Sequence, residues 1–492
     1  MRFGDFVWIG LALGSTLSAG AAAPAPVPQA DVLVVFESAR TLLDSLESDI
    51  LLQRLSPVGQ PLWNAPRPLA RTQGVRCTAP ALCGDGQGGA FAIWSEAPMG
   101  ESIAVVTTGE AQVARRSTRL QHLDGEGRPE WPAPKVLGDS TAFLDRPALQ
   151  EDGVGGVWAA WQRESPDFGA TLRVQHLNGA GQPLCAPLLV DPSSSGESEV
   201  CLLSDGSEGL IALFGYQSGM AGAQRFSPAG QPLWHDAESA ILYPFGYSSS
   251  LSELAAVPDG RGGCFAVGRE SVDGGPFEGS SHLVAQHLTV DGTLRWGEDG
   301  APLKISSSAE ACATPAGVAD YSGGVLLAWA TGLGSSEDGE SWIEVLRLDS
   351  AGTPLWPTGI VEAFHTDWQI ARPRLLPDGA GGAYLVAEAD SSWEGESRLH
   401  LQHILPDGTP AWNGLGGRVL PTRSGWRDKD PRFIAQGTGL LLVHSTGAGV
   451  FAESDLQAVG VDFQGNPVGG ACAVTDTPEW EGRFSVLRLP PR

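Results

Sequence analysis

"LDSAGTPLW" (348–356) decides the fold, because it returns along the chain in loosely rewritten form: "LSPVGQPLW" at 55–63, "FSPAGQPLW" at 226–234, "ILPDGTPAW" at 404–412. Aligned on its glycine, the motif stands at Gly59, Gly127, Gly181, Gly230, Gly292, Gly352, Gly408 and Gly465. That is 406 residues in seven steps, a mean period of 58. Four residues after the glycine come Trp63, Trp131, Cys185, Trp234, Trp296, Trp356, Trp412 and Val468. Four before it the residue is always apolar: Leu55, Leu123, Leu177, Phe226, Leu288, Leu348, Ile404 and Val461.

A second motif alternates with the first. "DGQGGAFAIW" (85–94), "DGVGGVWAAW" (152–161), "DGRGGCFAVG" (259–268) and "DGAGGAYLVA" (378–387) are its clearest copies. Both motifs carry hairpin chemistry: Asp-Gly and Gly-Gly supply the positive φ of tight turns, between β-favouring flanks. Each period therefore holds two hairpins, or four strands, and four-stranded units repeated at such spacing predict a β-propeller. A blade cannot bury its own face and must stack on a neighbour. The six repeat tryptophans, Trp63, Trp131, Trp234, Trp296, Trp356 and Trp412, are read as the glue between blades. Burying about 200 Å² of each at roughly 25 cal/mol/Å² contributes on the order of 5 kcal/mol as an upper bound.

The ends set the expected blade count. "DVLVVFES" (31–38) precedes the first tryptophan hairpin and "GRFSVLRL" (482–489) follows the last. If both strands join that first hairpin, one composite blade and seven continuous ones give eight blades, the ring closed by strands from both termini. The alternative is seven blades, with "TLLDSLESDILL" (41–52) as a short helix in a spare N-terminal segment.

The paired motifs resemble a group of bacterial exported repeat proteins in which "DGxGGxxVAW" alternates with "xQRxDxxGxPLW". The match covers nearly all of residues 50–475 and implies a propeller and export, without an established chemistry. Export is also read from the N-terminus: Arg2, the apolar run "FVWIGLALGSTL" (6–17) and the small residues after it predict a signal peptide over residues 1–23. A Pro/Ala-rich linker (24–30) and a single propeller domain (31–492) follow. The apolar run is shorter than the roughly 20 residues that span a bilayer. The expected location is secreted, periplasmic or at the cell surface.

Composition narrows the function. The 492 residues carry 31 Lys plus Arg against 57 acids, a net charge of −26, which argues against binding nucleic acid. Seven cysteines allow disulfides in an exported chain. Cys77 with Cys83 is the expected local pair, and Cys185 with Cys201 a second. No zinc-spaced Cys/His cluster, nucleotide loop, calcium loop or nucleophile elbow is present, so neither metal nor cofactor is expected. His122, His176, His287 and His403 share one repeat slot with Arg54, Arg225 and Arg347, and this reads as a polar strand face rather than as catalysis. A glutamine precedes that slot at Gln121, Gln175, Gln286 and Gln402.

The unequal, acidic loops 269–281, 331–341 and 387–397 are expected to share one rim with 364–373 and 422–431. Trp368, Trp393 and Trp426 lie outside the repeat's tryptophan slot and are the candidate ligand-binding residues. The favoured expectation is a monomeric, non-enzymatic binding or scaffold module for a protein or glycan partner. The alternative is a carbohydrate-active hydrolase using rim carboxylates.

Overall fold

The computed structural model describes residues 28–39, 47–98, 116–140, 147–165, 169–191, 197–216, 219–234, 240–241, 249–272, 281–297, 300–306, 312–332, 340–391, 396–420, 426–437, 439–448, 454–476 and 479–491. The predicted signal segment (1–23) and Trp393 fall outside these, as do 273–280, 333–339, 392–395 and 422–425 of the candidate rim loops. The fold is all-β, and among the described residues no helix is long and apolar enough to cross a membrane.

Consecutive strands pair antiparallel in runs of four. Ser249–Pro258, Cys264–Val272, Ser281–Leu288 and Leu303–Lys304 form one such sheet, and Cys312–Ala319, Val325–Thr331, Ser341–Leu348 and Ile360–Thr366 form the next. Elsewhere the runs join into a sixteen-stranded network through single parallel bridges, Ser48 to Arg76, Ser397 to Arg427 and Ser454 to Trp480. The N-terminal strand Val32–Ala39 lies between Ser48–Leu55 and the C-terminal strand Trp480–Arg488. Residues 48–52 are therefore strand, where the seven-blade alternative had placed helix.

The repeat motifs explain the packing between sheets. Trp131, Trp234, Trp296, Trp356 and Trp412 are buried, and Trp63 is half-buried beneath the Arg67 guanidinium, 4.0 Å from its ring. The Trp356 indole donates to the Pro406 carbonyl of the following unit at 2.9 Å, and Trp234 does the same to Val290 at 2.9 Å. The glycine of that following turn rests on the ring. Gly408 has φ +88°, and a Cβ there would meet Trp356 Cδ2 at 2.9 Å, so both backbone and space demand glycine. The glutamine slot locks the same turn: Gln402 Nε2 donates to the Trp412 carbonyl at 3.1 Å, and its Oε1 accepts the Trp412 N–H at 2.8 Å.

A serine at the head of the third strand staples five of the units to the next. Ser48 donates to the Cys77 carbonyl at 2.6 Å, Ser281 to Cys312 at 3.0 Å, Ser341 to Trp368 at 2.8 Å, Ser397 to Asp428 at 3.1 Å and Ser454 to Glu481 at 2.8 Å.

The expected disulfides are corrected. All seven cysteines are free thiols. Cys77 and Cys83 lie on one extended strand, Val75–Gly84, and six residues at about 3.3 Å each separate them by about 20 Å. A bridge needs Cα atoms within about 7 Å. A register shift between Thr78 and Ala81 sends the two thiols into different cores. Cys185 and Cys201 likewise belong to different clusters.

Candidate functional site

The first strand of several units carries a bulge at the same place. The register shifts between Thr78 and Ala81, Ser252 and Ala255, Ala313 and Ala316, Ala371 and Arg374, and Lys429 and Arg432. At these bulges Ala79, Glu253, Thr314, Arg372 and Asp430 adopt left-handed φ values of 53°, 54°, 52°, 54° and 52°. Holding a non-glycine residue there costs on the order of 1–3 kcal/mol. In four of the five a proline follows (Pro80, Pro315, Pro373, Pro431), and proline disfavours the right-handed helical region for the residue before it.

Bulges release backbone groups from the ladder, and oxygens of the preceding unit catch them. Glu199 Oε2 accepts the Leu254 N–H at 3.0 Å and Glu253 Oε2 accepts the Thr314 N–H at 2.5 Å. Thr314 Oγ1 accepts the Arg372 N–H at 3.1 Å, and Glu388 Oε1 the Asp430 N–H at 3.0 Å.

Glu388 is the chemically distinctive member of this belt. It is 3% exposed, and its Oε2 accepts from Arg372 Nη1 at 3.2 Å. Burial, and then the Asp430 charge, push its carboxyl up to about 7 against the opposing pull of Arg372, Arg374 and Lys429. Arg374 is half-buried beside it. Burial and the neighbouring Arg432 pull its guanidinium down to about 9, which leaves it protonated at neutral pH. Lys429 Nζ lies 3.3 Å from Asp390, and Arg432 stacks over Phe484 at 5.3 Å. A carboxyl poised near neutrality among fixed cations can hold a proton and release it to a substrate atom. Other first-strand and second-strand carboxylates are engaged differently: Glu253 pairs with Arg269 at 3.2 Å, and Glu270 with His282. Among the described residues no three His, Cys, Asp or Glu side chains converge as metal ligands would.

The sequence had placed interest elsewhere. Trp368 is half-buried, its carbonyl bound by Ser341 and its ring covered by the Arg398 guanidinium at 4.3 Å. Trp426 is half-buried, with its carbonyl accepting the Ser397 N–H at 3.3 Å. Trp368 directly precedes the strand that carries Arg372 and Trp426 the strand that carries Asp430, and Trp393 lies outside the described residues. The histidine slot is a turn clamp: His122, His176, His287 and His403 each bond the aspartate of their own unit's "DG" turn at 2.9–3.0 Å. Glu388 was missed because it occurs once and outside every motif. The recurrent Thr-Pro, Arg-Pro and Asp-Pro steps (314–315, 372–373, 430–431) were the available signal for the bulges.

No family model matches the chain, and no curated protein does. A solved ulvan lyase of polysaccharide lyase family 25 is similar over 80% of this chain and 92% of its own, at 9% identity and a TM-score of 0.50. Oligopeptidase B from Trypanosoma brucei is similar over 82% of this chain and 48% of its own, at 12% identity and a TM-score of 0.47. An α-L-arabinanase from Penicillium chrysogenum covers 64% of this chain and 89% of its own, at 15% identity and a TM-score of 0.34. The likeness to the ulvan lyase, at this identity, shows the fold alone, all-β and propeller-like. The expectation of a non-enzymatic binding or scaffold module is corrected: the ulvan lyase that shares this fold is a polysaccharide lyase, an enzyme.

Proposed function

We propose that the chain is an exported carbohydrate-active enzyme that cleaves a polysaccharide, with Glu388 transferring the proton to the glycosidic oxygen. The observation that carries this reading is the Glu388 carboxyl itself, buried, held near pKa 7 and adjoining Asp430 on the next unit. A protonated carboxyl serves as general acid, and a second carboxylate within reach activates water or attacks the sugar.

We infer the architecture to be an eight-bladed propeller closed by strands from both termini, with Glu388 and its cations beside the central channel. In support, each unit's first strand contacts the first strand of the next, from Val75–Gly84 onward to Trp480–Arg488, which contacts Val75–Gly84 again. The leader-like residues 1–23 support export.

The test is to incubate the purified chain and its Glu388→Gln variant with neutral and acidic polysaccharides and measure new reducing ends. Release by the parent and loss of at least a hundredfold in the variant are expected. New reducing ends with ultraviolet absorbance of an unsaturated sugar would assign elimination rather than hydrolysis. No release from any polysaccharide overturns the proposal.

A further inference from the structure

One position of the first strand, four residues before the turn that ends it, is small almost everywhere: Ala81, Ala148, Cys201, Ala255, Ala316 and Ser485. In two adjacent units it is Arg374 and Arg432 instead. The exchange places two guanidinium groups where methyl-sized side chains suffice for the fold. Arg374 feels the repulsion of both Arg432 and Arg372. Close, half-desolvated like charges are costly unless something compensates them.

The surroundings compensate in part. Arg372 contacts Glu388 at 3.2 Å, Lys429 contacts Asp390 at 3.3 Å, the Asp430 charge acts on Arg374, and the Asp430 carbonyl accepts from Arg432 Nη1 at 3.4 Å. The cations nevertheless remain reachable. The Arg372 and Lys429 side chains are 35% and 27% exposed, and Arg374 is half-buried, whereas the carboxylate they surround, Glu388, is 3% exposed. Glu388, the countercharge of Arg372, is thus withdrawn into the wall, while Asp390, the partner of Lys429, is 39% exposed and shares the surface with the cations. This occurs on a chain of net charge −26, whose general field repels anions.

We propose that Arg372, Arg374 and Lys429 form a subsite for an oxyanion substituent, a carboxylate or a sulfate ester, carried by the polysaccharide beside Glu388. Guanidinium forks match such planar or tetrahedral oxyanions bidentately, and Lys429 adds a point charge. Arg432 stands behind Arg374, packed on Phe484, and holds the positive potential of the wall. The subsite takes its place in catalysis from the reading of Glu388 as the proton donor, but its binding is independent of turnover.

The experiment is affinity electrophoresis of the purified chain in gels containing polygalacturonate, dextran sulfate or unmodified dextran, at about 0.15 M ionic strength to screen the long-range field. The parent is expected to be retarded by at least one of the two charged polymers and not by dextran. Retardation by polygalacturonate alone assigns a carboxylate, and by dextran sulfate alone a sulfate ester. Arg374→Ala, which restores the residue most other units carry, is expected to weaken binding at least tenfold with unchanged circular dichroism. Arg372→Gln gives a second reading should the first variant misfold, and the exposed Arg128→Ala is expected to bind like the parent. Equal retardation by dextran, parent-like binding of Arg374→Ala and Arg372→Gln, or equal loss in Arg128→Ala would each overturn the subsite. Charged-polymer binding without bond cleavage would leave the subsite standing and remove the enzymatic reading. Cleavage of neutral polysaccharides without charged-polymer binding would do the reverse.

Discussion

His176 Nε2 stands 2.9 Å from Asp152 Oδ2, with the two side chains 0% and 1% exposed. The imidazole Nδ1 also lies 2.8 Å from the Pro228 carbonyl of the following unit, and the aspartate's other oxygen accepts the N–H groups of Val154 and Gly156. One pair therefore ties the "DG" turn, the third strand and the neighbouring sheet together. Arginine does the same work at Arg225–Asp205 and Arg347–Asp320, each at 2.9 Å. A slot that accepts histidine or arginine alike needs a cation-capable donor, not a nucleophile or a base.

Removing that donor leaves a buried carboxylate without its partner. His176→Ala is expected to lower stability by about 3 kcal/mol, within the range for breaking a buried pair. Urea unfolding followed by tryptophan fluorescence measures it, and a loss below 1 kcal/mol would refute the clamp. His176→Arg is expected to recover part of the loss.

The acid side of the stability curve follows from the same aspartates. Burial would raise the carboxyls of Asp85, Asp152, Asp259 and Asp378, but the histidine bonds and two backbone N–H groups each outweigh it and hold them below the usual range. Groups depressed in the folded state stabilise above their unfolded value, about 3.9, and that contribution is lost as pH falls further. Glu388, Glu37 and Glu151 are raised, so their folded forms gain stability as pH drops from neutrality toward about 4.5. His400, held down to about 4 by burial, and His444, also held low, lose stability over the same interval and oppose that gain. The expected outcome is little net change between pH 7 and 5 and a collapse below about pH 4. Thermal melts between pH 3 and 8 test this, and unchanged stability at pH 3 would contradict it.

Trp356 and Gly408 supply a coupled test of the repeat. Trp356→Ala is expected to cost about 3–5 kcal/mol, as large-to-small core changes do. Gly408→Ala meets both a φ of +88° and the indole at 2.9 Å. Removing the ring relieves only the contact, so Gly408→Ala should cost less in the Trp356→Ala background than alone. Strict additivity would mean the two do not touch.

Much of this was legible because it is local and repeated. The turn glycines, the tryptophan four residues on and the alternating hairpins recur often enough for one chain to reveal its unit. What recurs across units but not within a hairpin was invisible: the Ser48, Ser281, Ser341, Ser397 and Ser454 staples each reach the next sheet. The cysteine pairing failed because closeness in sequence was read as closeness in space, while an extended strand carries Cys77 and Cys83 apart. Glu388, Arg374 and Arg432 are departures from the repeat. Alignment on the turn glycines draws attention to what units share and away from the few positions where two of them differ.

The Glu388 proton makes the sharpest functional prediction. A general acid must be protonated before it can deliver its proton, and this carboxyl is held up to about 7. Cleavage of whichever polysaccharide the screen returns should therefore be sustained below pH 6 and fall as pH rises through about 7. Glu388→Gln keeps the shape and can still bond Arg372 weakly, yet it carries no transferable proton, so its rate should drop by about 10²–10⁴. The alkaline limb should vanish from what activity remains. Arg372→Gln removes a cation that favours the ionised carboxylate, so the limb should move to higher pH rather than disappear. A pH–rate profile of the three proteins on one substrate decides it. An alkaline limb unchanged in Glu388→Gln would assign the proton to another residue.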